Sequence, residues 1–180
     1  LLRLEKPNSQ PYISFYIWIS KKRHMENYHE LLNKAKKEID SSDHLLFVTY
    51  NIVKDSKFVF SVTNQLIDAV KYAIEALLEF ERKSKLIEPY PKQFNFMVDT
   101  FKKKVSERRE FETSTLVFLN KLVLMEQTID SSSLNFRRGE TYVLADEEFG
   151  TQAIELQTIK SYFSDAKSFV EKVGEIIEQD

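Results

Sequence analysis

Apolar residues recur at helical spacing from Glu26 to about Val53, through Tyr28, Leu31, Leu32, Ala35 and Ile39 to Leu46, Val48, Tyr50 and Val53, and predict a long first helix. Its middle, Asp40-Ser41-Ser42-Asp43, favours caps and turns, so a bend or break is expected there. Lys54-Asp55-Ser56 supplies a turn and an N-cap. From about Lys57 to Leu86 the stripe Val59, Val62, Leu66, Val70, Ala73, Leu77 is joined by a second row at Phe60, Ile67, Ile74 and Leu78. So wide an apolar arc predicts a central helix touched by several partners. Glu88-Pro89-Tyr90-Pro91 must stop it, because proline lacks the amide donor and restricts the residue before it. Phe94, Met97, Val98, Phe101 and Val105 mark a third helix, and Leu116, Leu119, Leu122, Val123 and Ile129 a fourth that ends near Asp130-Ser131-Ser132-Ser133. The period then changes. Phe136 and Tyr142-Val143-Leu144 flank Arg137-Arg138-Gly139-Glu140 as a short hairpin with Gly139 suited to positive φ, and a last helix runs from about Glu155 to Glu178.

Composition narrows the chemistry. The 180 residues are 42% hydrophobic and 30% charged, enough for one core, and three glycines with four prolines argue against a turn-rich all-β fold or a glycine-rich phosphate loop. Without cysteine there is no disulfide, thiolate metal site or cysteine nucleophile, and His24, His29 and His44 leave few ligands for a transition metal. Residues 1–24 differ in character from the rest of the chain: the apolar run Tyr12 to Ile19 is too short to span a bilayer, and its basic cluster Lys21, Lys22, Arg23 lies on the wrong side for an export signal. The favoured reading is a leader ahead of a natural start at Met25; the other is that Trp18 and its neighbours dock on a membrane surface or partner. A cytoplasmic protein with no membrane span is expected.

Charge is uneven although the total is only −2. Between Arg82 and Arg109 nine basic residues (Arg82, Lys83, Lys85, Lys92, Lys102, Lys103, Lys104, Arg108, Arg109) face three acidic ones, whereas Glu140 to Asp180 holds ten acidic and three basic. The favoured reading is a solvated basic face balanced by the acidic last helix. The functional reading is a phosphate-binding end, with Tyr90, Phe94 and Phe96 interleaved for stacking on nucleic acid. Arg137 and Arg138 form a second basic pair, which a turn can present to a phosphate or carboxylate. Glu75 and Glu79 have the i,i+4 spacing of di-metal bundles, but the Glu-x-x-His pairs such a site needs are missing. His44, beside Asp43 and an apolar run, is read as structural, and no catalytic residue or cofactor is assigned.

The stretch DHLLFVTYNIVKDSKFVFSVTNQLIDAVKYAIEALLEFER with its Glu88-Pro89-Tyr90-Pro91 stop, and LNFRRGETYVLAD with the closing IKSYFSDAKSFV, resemble a family of uncharacterised archaeal helical proteins. The resemblance covers most of Met25 to Val173 and implies no particular activity. A more distant one is to the HEPN superfamily of small helical bundles, many of them RNases or partners of nucleotidyltransferases. The nuclease motif of that superfamily, Arg-x(4–6)-His, falls late in the domain, whereas the only such spacing here is Arg23 to His29 at the start. Together these readings predict an all-α fold, an up-and-down bundle of four to five helices over 25–180 with a small β-hairpin before the last helix. The expected function is a non-catalytic interaction or regulatory module with a protein partner or a second copy of itself. RNA binding through the basic residues is the alternative, with weak RNase activity third.

Overall fold

The computed structural model describes residues 28–138, 141–145 and 150–179; the leader, Gly139 and the side chain of Arg137 lie outside the described residues. Helix α1 covers 28–53 and is not broken at Asp40–Asp43. Ser42 is fully buried and donates to Gln65 Oε1 at 3.3 Å, while Gln65 Nε2 donates to Ser41 Oγ at 2.9 Å. Hydroxyls that could have turned the chain are thus spent on the neighbouring helix. The irregularity comes a turn later, where His44–Thr49 widens into π-helix and the Tyr50 amide bonds to the Leu45 carbonyl five residues back. Lys54 ends α1 in the left-handed conformation (φ 51°), and Asp55 Oδ1 accepts the Lys57 amide at 2.9 Å to start the next helix.

Helix α2 (Lys57–Lys83) is the post of the fold. Val62, Leu66, Val70, Ala73, Ile74, Leu77 and Leu78 are withdrawn from water on it; the larger ones contribute about 1.5–3 kcal/mol each. Around it stand α3 (Phe94–Lys104), α4 (Thr113–Ser131) and α5 (Leu156–Gln179). Contacts fix their directions. Tyr28 meets Phe80 while Ser42 meets Gln65, so α1 runs antiparallel to α2. The Glu88–Pro91 strap carries the chain back along α2, with Tyr90 at Glu79, Lys92 at Glu75 and Phe94 under Lys71. Helix α3 therefore runs the same way as α2 and brings Arg108 and Arg109 back to Glu81, so the expected strict up-and-down order does not hold here. A strap stiffened by two prolines crosses the bundle as an extended segment instead of folding back as a tight helical turn.

The fold is mainly helical but not all-α. Strands β1 (Leu134–Arg138), β2 (Thr141–Ala145) and β3 (Thr151–Ile154) form an antiparallel sheet in that order, so the expected hairpin gains a third strand. Its register pairs Phe136 with Val143 and Tyr142 with Ile154. Alternation turns Tyr142, Leu144 and Ile154 to the bundle, where Tyr142 stacks on Phe60 of α2 with ring centroids 4.7 Å apart. The sheet thus sits at the N-terminal end of α2, and the basic residues gather at the other.

Candidate functional site

At the C-terminal end of α2 the sequence Ala76-Leu77-Leu78-Glu79-Phe80-Glu81 places two carboxylates inside an apolar run. Glu81 is wholly buried; Arg109 Nε donates to its Oε1 at 2.7 Å and Arg108 Nη2 to its Oε2. Glu79, 6% exposed, takes Arg82 at 2.8 Å, Lys92 at 3.6 Å and the Tyr90 hydroxyl at 3.1 Å. Burial first, then the Glu79 charge, pushes the Tyr90 hydroxyl far above its ordinary range, which keeps it a donor. Lys92 also pairs with Glu75 at 2.6 Å, and that hydrogen bond is the main cause of its raised pKa. The i,i+4 carboxylates Glu75 and Glu79 are therefore occupied by cations of this chain. Among the described residues no group of three or more His, Cys, Asp and Glu is placed to hold a metal ion.

The leading candidates for binding, seven cations of the Arg82–Arg109 run (Arg82, Lys83, Lys102, Lys103, Lys104, Arg108 and Arg109) with the pair Arg137 and Arg138, separate into those held by this chain, those exposed beside a groove and those on β1. Arg82, Arg108 and Arg109 are held by buried carboxylates, and Lys83 donates to the Tyr28 hydroxyl at 3.2 Å. Lys102 bonds to Asn120 and stands 4.0 Å from Asp99. Lys103 and Lys104 remain exposed, on a groove of about 320 Å³ between α3 and the Glu88–Pro91 strap. Phe96, 47% exposed, and Tyr90 line the same groove, as do Glu88 and Asp99. Phe94, the third stacking candidate, is instead buried, with the Lys71 ammonium 5.9 Å from its ring centroid. Arg137 and Arg138 lie on β1, away from the other seven; Arg137 pairs in register with Tyr142, and Arg138 is exposed beside Thr141. His24 lies outside the described residues; of the two described histidines, His29 is exposed against Tyr28, and His44 Nδ1 is 3.4 Å from Thr49 Oγ1.

Strand β1 is the feature that residue counting did not single out. It is an edge of the sheet, with β2 on one side and no described strand on the other. Leu134 and Phe136 are 59% and 39% exposed on it, and Asn135 is exposed between them. The other edge, β3, is one residue shorter and begins with the exposed Thr151, Gln152 and Ala153. A second exposed apolar set, Phe47, Val48, Ile52 and Val53, closes α1, with Phe47 edge-on to Phe163 of α5.

These features define a mainly helical domain with a small sheet whose apolar edge is paired with no other strand among the described residues. Comparison of the chain with family models, with curated proteins and with solved structures gives no match in any of the three. Among the described residues no helix is long and apolar enough to cross a membrane.

Proposed function

We propose that the chain is a non-catalytic interaction module that docks an extended partner segment along β1. The observation that carries this reading is an edge strand whose Leu134, Asn135 and Phe136 bear neither charge nor proline. Unpaired backbone amides and carbonyls along such an edge are a template for another strand, and natural sheets protect edges they do not use with lysine, proline or bulges. Main-chain hydrogen bonds would supply affinity, and Leu134 and Phe136 the side-chain selection. The test is a photo-reactive residue at position 136 of the full chain, with the same residue at exposed Lys121 on α4 as the control. A discrete adduct at 136 and none at 121 is expected; equal labelling at both, or none at 136, refutes the reading.

A second reading, binding of single-stranded RNA, is favoured by one arrangement: Phe96 and Tyr90 share a groove with Lys103 and Lys104, whose exposed side chains make no ion pair with another described residue. Bases stack on aromatic faces while lysines meet phosphates, and each lysine so used adds about 0.7 to the slope of log affinity against log salt. Charge reversal at Lys103 and Lys104 should flatten that slope. Binding that is absent at low salt, or indifferent to both reversals, removes it.

A further inference from the structure

We infer that the segment β1 accepts is β1 of a second copy of this chain, the two strands pairing antiparallel about a two-fold axis at Phe136. The inference rests on the proposed docking along β1 and names its partner. It follows from the strand's own register. Antiparallel pairing centred on Phe136 sets Phe136 against Phe136, Asn135 against Arg137, and Leu134 against Arg138 of the other copy. No like charges then stand opposite one another, and the two most exposed apolar residues of the strand lose water at the joint. Moving the centre to Arg137 would oppose the two Arg137 positions, and parallel in-register pairing would align Arg137 with Arg137 and Arg138 with Arg138. The two arginines thus disfavour the parallel and Arg137-centred pairings, and of the antiparallel registers that keep them apart only the Phe136-centred one pairs all five residues of β1, because Phe136 is the strand's midpoint.

Charge supports the same arrangement. Arg138 of each copy comes to the Leu134 end of the other, the end that exposed Asp130 precedes by four residues. Closure matters as well, because an isologous joint uses each β1 once and stops at two copies, giving one six-stranded sheet. The edges left over are the two β3 strands, each four residues long and led by threonine and glutamine. A second copy therefore covers the apolar edge and leaves only short polar ones, which resists further addition.

The absence of cysteine from the chain makes the test clean. Light scattering on the eluting full chain should give twice 21.3 kDa. Phe136→Cys should form a disulfide-linked dimer on mild oxidation, since opposed Cα atoms in an antiparallel pair stand about 4.5–5.5 Å apart, within disulfide reach. Thr151→Cys, on the other edge, should stay unlinked under the same conditions. Phe136→Lys should elute at the mass of one chain with an unchanged far-ultraviolet spectrum, which guards against a cysteine variant that folds poorly. A monomeric native chain overturns the inference, yet leaves docking of another partner to be decided by the photo-reactive residue at position 136. A dimer that survives Phe136→Lys, or that links no faster at 136 than at 151, also overturns it.

Discussion

Glu81 offers the sharpest test of how the helical end of the molecule is held together. Its carboxylate is fully buried and accepts from both Arg108 and Arg109, whose side chains keep 39% and 21% of their exposure. Glu81→Gln preserves volume and removes the charge that both guanidinium groups were placed to meet. Stripping one partner from a buried ion pair costs about 3–5 kcal/mol, because the charge left behind is uncompensated. Here the arginines that lose this carboxylate are partly exposed and can turn toward water, so the lower end applies, about 3 kcal/mol. Urea unfolding of the two proteins should then show a lower midpoint at unchanged slope. In the Glu81→Gln background, Arg108→Gln should cost much less than in the native chain, since the partner it served is gone. A loss below about 1 kcal/mol in the single variant, against the ordinary spread of surface substitutions of about 0.5 kcal/mol, would show that the triad is an incidental surface contact and refute the reasoning.

Three further substitutions probe other joints. Tyr90→Phe deletes the hydroxyl that donates to buried Glu79 and should lower stability by about 1 kcal/mol in the same urea assay. Phe60→Ala removes the ring stacked on Tyr142 and should speed amide exchange in β2 while leaving exchange in the middle of α2 unchanged; equal acceleration in both would mean that the sheet is not separately anchored. Asp68 has its pKa raised, by burial first and then by the Glu126 charge, against the lowering effect of Lys71. Its ionisation therefore opposes folding above the raised value, and Asp68→Asn should stabilise the protein at neutral pH by a few tenths of a kcal/mol, about what a solvent-screened group allows. That gain should vanish as pH falls below the ordinary aspartate range, where the native side chain is itself protonated, and a gain that persists there would contradict the assignment.

The helices were legible because their signal is periodic and local. Val59 to Leu78 on α2 and Phe94 to Phe101 on α3 announce their buried faces residue by residue, and those faces are the ones the structure buries. What local reading missed depends on partners distant in sequence. Asp40–Asp43 has the composition of a break because serine competes with the helical backbone, but Gln65, more than twenty residues away, takes up both hydroxyls. The π-turn at His44–Thr49 has no composition of its own. Strand β3 is four residues with a single buried side chain, Ile154, too short to show a period. The basic run from Arg82 to Arg109 holds nine cations against three acids within its own span, whereas the carboxylates that engage it, Glu75, Glu79 and Glu81, lie just upstream on α2. One signal could have found them: charged residues set directly beside Ala76-Leu77-Leu78, where an unpaired carboxylate could not be buried.

The two surfaces that could serve a partner stand at opposite ends of one stiff element. Phe60 carries the sheet near the start of α2, and Glu79 carries the strap and groove near its end. At 1.5 Å per residue their separation along the helix is about 28 Å, nearly three screening lengths at moderate salt. Neither surface shares a side chain with the other, and the helix between them is continuous and packed on its buried face. Energetic coupling would need an element with two arrangements that both ends bias, whereas the element that joins them is one continuous helix. The ends should therefore respond independently: Phe136→Lys should change the eluted mass without altering the salt slope of any RNA binding, and charge reversal at Lys103 and Lys104 should alter that slope at constant mass. If either substitution moves both readouts, the ends are not independent, and a single surface spanning both, or a dimer that assembles the groove, would have to replace this division.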